Sequence, residues 1–352
     1  MRKTVTRFQG CLIVLVLAML TADIGTAAAA TTTPAEVTLV GLDLHDGTVV
    51  LADGTYYLYG TEYGCGFTWR LAHTPWCGFG VRSAKSLTGP WSAARLLFSP
   101  SAKVHTPKGN WPGDNRKTWD WVCGSDGAGC FNPRMVHEPD GKWLLWFNAP
   151  GDTMHRHANA YWVLGCDGPL GPCGSSAGGR DGFDHKPKLT VCDKDGDFSI
   201  ITDGTSAAIL CQHGTLAEEQ LASSWIDGDG VGHQQLAGLT RAEGEGAYRL
   251  PNGTWEMTYS LPGCGYCTGP PTLKSAAGPK EVQTGYATAP SMLGPWTAHG
   301  VLSTAYCVGQ PRTVFTVRGQ AYEWIDSWTG SPNETQAGFR LEPMDTSAWS
   351  CS

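Results

Sequence analysis

Four carboxylates and two carboxamides fall at comparable places along this 352-residue chain. Asp46, Asn132, Asp197, Glu243 or Glu245, and Gln310 each stand near the start of a β-rich run that leads into a tight turn. Acids that converge from separate elements suit hydrolysis of an acetal. One carboxylic acid protonates the leaving oxygen, while a carboxylate opposite activates water or attacks carbon. Crowding like charges also raises at least one pKa, as a general acid near neutral pH requires.

Other side chains cluster around these positions. Asn132 with Arg134, and Gln310 with Arg312, come from the matching strings NPR and QPR. Arg pairs well with a carboxylate, so these two either orient an acid or hold the scaffold. His45 precedes Asp46 and either meets a sugar hydroxyl or buttresses its neighbour. Phe67 and Trp69, with Trp76, lie near the segment between Cys65 and Cys77, as a sugar platform or as loop packing. Other patterns fail on context. Gly174-Ser175-Ser176-Ala177-Gly178 matches a nucleophile elbow but has no strand before it and no helix after it. Asp193 to Asp197 begins like a calcium loop, yet its twelfth position is Gly204 rather than Glu. Neither a metal nor an organic cofactor is expected.

What positions these residues is a repeat. Asp53-Gly54, Asp140-Gly141, Asp203-Gly204, Asn252-Gly253 and Arg318-Gly319 each precede an apolar or aromatic run: YYLYG, WLLWF, SAAIL, WEMTY and AYEWI. Asp-Gly and Asn-Gly are strong hairpin signals because they tolerate positive φ. A third element ends in GPW at 89–91 and 294–296, with a degraded copy at 171–173. Five strand–hairpin–strand units read as an all-β fold, a five-bladed β-propeller, in which each blade covers its neighbours' faces. Only Thr215 to Ser223 is expected to be helical. The Gly/Ser/Pro-rich stretch 165–188 reads as a surface loop, so residues 31–352 form one domain.

The ends and composition set the compartment. Arg2, Lys3 and Arg7, the apolar run Cys11 to Leu20, and Ala27 to Ala30 make residues 1–30 a secretory signal peptide, cleaved after Ala28 or Ala30. Of 13 cysteines, the 12 beyond the signal suit an exported disulfide framework. The expected pairs are Cys65–Cys77, Cys123–Cys130, Cys166–Cys173, Cys192–Cys211, Cys264–Cys267 and Cys307–Cys351. A net charge of −7 without basic clusters argues against nucleic acid. No apolar run suits a membrane span after signal cleavage. Fifteen tryptophans beside only 16% charged residues suit aromatic platforms for a saccharide. The expected partner is a polysaccharide or oligosaccharide, met by a secreted monomer.

Three strings carry a family resemblance: LHDGTVVLADGTYYLYGT at 44–61, DFSIITDG at 197–204 and AEGEGAYRLPNGTWEMTYS at 242–260. In this order they resemble glycoside hydrolase family 43, which implies a five-bladed propeller and glycoside hydrolysis with inversion. Carried over, the resemblance makes Asp46 the general base, Asp197 the group that tunes and orients the acid, and Glu243 the general acid. Glu245 stands where the family has Pro, so the acid is Glu243 or Glu245. Gln310 stands where many members have a His near a central metal. NPRMVHEPDGKWLLWFN at 132–148 and GQPRTVFTVRGQAYEWIDSW at 309–328 resemble the exo-β-1,3-galactosidase branch. The implied activity is an exo-glycosidase releasing arabinofuranosyl, galactosyl or xylosyl units. A retaining glycosidase on a related scaffold and a non-catalytic sugar-binding propeller are the alternatives.

Overall fold

A computed structural model of the chain describes residues 36–68, 73–105, 117–124, 129–151, 159–194, 196–212, 215–240, 242–261, 283–303, 309–328, 331 and 333–344. The expected signal peptide, Trp69, and the expected pairs Cys264–Cys267 and Cys307–Cys351 lie outside these residues.

A short strand, β1 (Val37–Leu39), comes first. Blade 1 follows as β2 (His45–Ala52), β3 (Thr55–Thr61), β4 (Phe79–Ala84) and β5 (Arg95–Leu96). A short helix α1 (Trp119–Gly124) leads to blade 2: β6 (Phe131–His137), β7 (Trp143–Asn148), β8 (Tyr161–Cys166) and β9 (Asp184–His185). Blade 3 is β10 (Phe198–Asp203), β11 (Ser206–Gln212), β12 (Thr215–Leu221) and β13 (Gly228–Thr240). Blade 4 is β14 (Glu243–Arg249), β15 (Trp255–Leu261), β16 (Gln283–Ala289) and β17 (Thr297–Ser303). Blade 5 is β18 (Gln310–Val317), β19 (Gln320–Ser327) and β20 (Gly338–Pro343), with β1 as its fourth strand.

Each sheet is an antiparallel meander of four strands, and the first strand of each packs beside the first strand of the next. β2, β6, β10, β14 and β18 therefore ring a central axis. β1 pairs with β20 through Val37↔Leu341, Thr38↔Arg340 and Leu39↔Phe339, so the chain's start completes its last blade. Each expected hairpin joins the first two strands of a blade, with Ala52↔Thr55 and Val317↔Gln320 flanking two-residue turns.

The unbroken apolar runs follow from burial on both faces. Leu145 and Phe147 pack toward Tyr59 and Phe79 of blade 1, while Leu144 and Trp146 pack toward Ile209 and Ala207 of blade 3. Within β11, Ile209 faces blade 2, and Leu210 faces Met257 of blade 4. Trp324 and Phe339 meet Leu58 and Val49 across the blade 5–blade 1 seam. The blade 4–blade 5 seam is more polar. Beside Val314, Ala321 and Tyr248 it buries Glu256 and Glu323.

One expected element differs. Residues 215–221 form strand β12 rather than a helix. Their two glutamates are wholly buried and committed to tertiary partners. Glu218 accepts from Trp296 Nε1 at 2.7 Å, and Glu219 accepts the backbone N–H groups of Thr190, Val191 and Cys192. Those contacts outweigh the local helical preference of Leu, Ala and Glu. Four of the expected disulfides are formed: Cys65–Cys77, Cys123–Cys130, Cys166–Cys173 and Cys192–Cys211. No described helix is long and apolar enough to cross a membrane.

Candidate active site

The site is built where four of the inner strands begin. In β2, β6, β14 and β18 the pairing slips by one residue between His45 and Thr48, Phe131 and Arg134, Glu243 and Gly246, and Pro311 and Thr313. Such bulges bend a strand and re-aim its side chains. At three of them the backbone turns left-handed, with φ of 48° at Asp46, 57° at Asn132 and 61° at Gly244. Asp and Asn are among the few non-glycine residues that tolerate this region. Gly244 has a second constraint, since a Cβ there would lie 1.8 Å from the Pro311 carbonyl oxygen. Blades 4 and 5 approach backbone to backbone at this point.

The bulges bring Asp46, Asn132 and Arg312 to Asp197, which stands just before the regular strand β10, so that four blades meet. Arg312 Nη1 lies 2.9 Å from Asp197 Oδ2, and its Nη2 donates to Asn132 Oδ1. Asn132 Nδ2 in turn donates to Asp197 Oδ1 at 2.9 Å. Arg312 also lies 3.9 Å from Asp46 Oδ2 and 3.7 Å from Asp326 Oδ2. Burial opposes the charge on Arg312, but Asp197, Asp46 and Asp326 outweigh it and hold its pKa above the ordinary value. The guanidinium is the cation on which three carboxylates converge.

Asp46 is 1% exposed. Its Oδ1 accepts from the Thr61 hydroxyl at 2.6 Å and its Oδ2 from the Tyr63 hydroxyl at 3.2 Å. Burial, with help from Asp326 and against Arg312, pushes its pKa up from 3.8 to about 6. Arg134 is aimed at backbone carbonyls. Its guanidinium donates to the carbonyls of Asp46 and Gly47 in blade 1, Phe198 in blade 3 and Arg312 in blade 5. It thus ties three blades to blade 2 by their backbones, and burial lowers its pKa to about 10.

The two glutamates of blade 4 separate in environment. Glu245 is wholly buried, and neither carboxyl oxygen has a hydrogen-bond partner among the described residues. Burial, then Asp197, pushes its pKa well above the ordinary glutamate value, which favours the neutral acid. Glu243 is half-buried and pairs in the ladder with Ser260, immediately before the bulge. By register its counterparts are His45, Phe131 and Gln310, which pair with Thr61, Asn148 and Asp326. Glu245 therefore aligns with Gly47 rather than with Asp46. The blade 4 hairpin between Arg249 and Trp255 is longer than the two-residue turn of blade 1.

An aromatic group flanks Asp46. His45 is wholly buried, with Nδ1 3.6 Å from Asp326 and Nε2 4.0 Å from Asp43. Trp328 lies 4.9 Å from its ring, stands half-exposed, and donates from Nε1 to Gln310 Oε1 at 3.2 Å. Phe67 is buried against Tyr63 and Phe131, so it supports the tyrosine that holds Asp46 rather than offering a free platform. Three contributors escaped the sequence reading: Tyr63, Asp326 and Trp328. Only the alternation of Trp324, Asp326 and Trp328 in YEWIDSW signalled that Asp326 shares a strand face with Trp324, with Trp328 one residue past the strand's end.

The fold is a five-bladed propeller whose axis is lined by carboxylates and arginines. No family profile and no curated protein matches the sequence. Solved structures do match. An exo-β-1,3-galactanase from Phanerochaete chrysosporium, in complex with galactose, is similar over 87% of this chain and 61% of its own, with 15% identity and a TM-score of 0.60. An exo-β-1,3-galactanase from Clostridium thermocellum is similar over 88% and 60%, with 14% identity and a TM-score of 0.59. A β-1,3-galactosidase of glycoside hydrolase family 43, with galactodeoxynojirimycin, is similar over 86% and 90%, with 15% identity and a TM-score of 0.59. The chain spans 56% of another family 43 β-1,3-galactosidase, under two thirds of that longer neighbour. At these identities the likeness establishes the propeller fold.

Proposed function

We propose that this chain is a secreted glycoside hydrolase of the family 43 type, releasing galactosyl units from the ends of β-1,3-linked galactan with inversion. The carrying observation is the convergence of Asp46, Asn132, Asp197 and Arg312 from four blades, with Glu243 half-exposed at the start of the remaining inner strand. In this reading Glu243 protonates the glycosidic oxygen, since it is the more accessible of the two glutamates. Asp46 accepts a proton from water, which attacks the anomeric carbon from the opposite face. Asp197, fixed by Arg312 and Asn132, orients the acid. Trp328 offers a ring to the apolar face of the sugar, and Gln310, held by that indole, offers its carboxamide N–H to a hydroxyl. Galactose is chosen over arabinofuranose and xylose because the similar structures carry galactanase and galactosidase names and two hold galactose or a galactose-like inhibitor. Export is supported by four disulfides and by the N-terminal signal pattern.

A second reading has its own observation. The close Arg312–Asp197 pair and the depth of Asp46 also fit a propeller that binds a glycan without cleaving it. Incubation with β-1,3-galactobiose and with aryl β-galactoside, arabinofuranoside and xyloside separates the two. Release of α-galactose first, lost in Asp46→Asn, supports the hydrolase. Galactan binding without release from any of these compounds supports the binding propeller and overturns the first reading.

A further inference from the structure

Asp326 has no assigned role, yet it lies against the Asp46 backbone, Arg312 and His45. It lies in β19, one strand outside the ring, wholly buried. Its Oδ2 accepts the backbone N–H of Asp46 at 2.8 Å, and its Oδ1 accepts from Trp324 Nε1 at 2.9 Å. Arg312 Nε lies 3.7 Å from the same Oδ2, and His45 Nδ1 lies 3.6 Å from Oδ1. The Asp46 backbone needs such an anchor. Its left-handed φ of 48° is unusual for a residue with a side chain, and an unpaired buried N–H would cost further stability. An ionised acceptor makes the stronger hydrogen bond.

We propose that Asp326 is the positioning residue of this site, a buried carboxylate that fixes the Asp46 backbone in its bulge and holds Arg312 beside the Asp46 carboxyl. The inference rests on the reading of Asp46 as the general base. It explains why a carboxylate is buried one strand away from the chemistry. An amide or hydroxyl could accept the N–H, but only an anion also restrains the guanidinium.

The groups that face Asp46 are Arg312 from β18, Arg134 from β6, Asp326 from β19, Thr61 from β3, Tyr63 just beyond it, and His45 on its own strand. Of these, Asp326 is the negative group that raises the Asp46 pKa, after burial. Asp326→Asn keeps an acceptor but removes that charge and frees Arg312 to turn toward Asp46. Both changes favour the ionised form, so the Asp46 titration should move down by on the order of one pH unit.

Carboxyl ¹³C NMR of aspartate-labelled protein, with Asp46→Asn used to identify the resonance, reads this without any substrate. A midpoint that moves down in folded Asp326→Asn supports the proposal; one that stays or rises overturns it. The pH profile of kcat/KM on β-1,3-galactobiose supplies the second readout, its acid limb moving with the NMR midpoint. A purely structural role would lower the whole profile and leave the limb in place. Should Asp326→Asn not fold, Asp326→Glu keeps the charge on a longer arm. Its expected result is a lowered kcat with KM and acid limb retained, and a parental kcat overturns the proposal. If the parent hydrolyses nothing, the catalytic reading fails, and the NMR arm still decides whether Asp326 governs Asp46.

Discussion

Replacing Asp46 with Asn should shift stability in the variant's favour as pH rises. Asp46 carries its charge into a wholly protein-lined position, and its pKa rises from 3.8 to about 6 on folding. An acid with a raised folded pKa binds more protons folded than unfolded. Its contribution to stability is therefore full below pH 3.8 and is lost as pH rises through about 6. At ~1.36 kcal/mol per pH unit, that rise on folding corresponds to about 3 kcal/mol. Roughly half of that is already lost at pH 5 and the rest disappears by pH 8. The carboxamide does not titrate, so the variant escapes the loss. Exchanging a carboxylate for an amide beside Arg312 adds a nearly constant offset, because Arg312 stays charged throughout. Urea unfolding of parent and variant at pH 4, 5, 6, 7 and 8, disulfides intact, measures the gap. The expected result is a gap moving in the variant's favour by about 1–2 kcal/mol between pH 5 and 8, with hydrolysis lost. A constant gap, or one that moves toward the parent as pH rises, would refute the assignment of Asp46 as a buried, raised acid.

The other expectations concern blade 4, the seam beside it and one cross-link. Glu243→Gln should lower kcat by on the order of 10²-fold, as for loss of a general acid. Glu245→Gln should leave most turnover in place, because the buried carboxyl is already neutral; the reverse ranking in a kinetic comparison would move the acid to Glu245. Glu323 is wholly buried, accepts from the Thr258 hydroxyl, and has a pKa raised well above the ordinary range by burial. Its raised folded pKa makes it a stabilising neutral acid at low pH and a liability as pH climbs, so Glu323→Gln should gain on the parent in thermal unfolding at alkaline pH; equal slopes would contradict this. Cys192 and Cys211, separated by 19 residues, close a loop whose entropy is worth about 3 kcal/mol. Cys192→Ala/Cys211→Ala should lower the urea midpoint accordingly, and an unmoved midpoint would show that the loop stays ordered in the unfolded chain.

How far the sequence reached is set by the range of the interactions involved. The hairpin dipeptides act over two residues, and at Asp53-Gly54 and Arg318-Gly319 both turn positions have positive φ, so the blades were legible from turn chemistry alone. The short-range disulfides were legible for a similar reason. By contrast β1 is three residues long, too short for any periodicity, and its partner β20 lies at the other end of the chain. The strand at 215–221 was misread because its glutamates answer to Trp296 and to the 190–192 backbone, not to their own neighbours.

The site divides along the same line. Asp46, Asn132, Asp197, Arg312 and Gln310 could be picked out because each stands at an inner strand's entry, and the repeat brings those entries to one axis. What holds them is not periodic. Tyr63 arrives from just beyond β3 pinned by Asp43, whose carboxylate accepts the Tyr63 and Gly64 N–H groups. Asp326 reaches Asp46 across 280 residues of sequence. A repeat can place chemical groups around an axis, but the departures from it decide which of those groups is ionised. Glu245 and Arg312 make the point. The bulge register sets both between its two ladder-paired residues on neighbouring blades, yet one is left buried without a partner as a neutral acid and the other joins three carboxylates. That division of charge follows from burial and Asp197 at Glu245, and from Asp197, Asp46 and Asp326 at Arg312; of these acids Asp326 alone stands one strand outside the ring, which is why its substitution probes the site without changing a group at the axis.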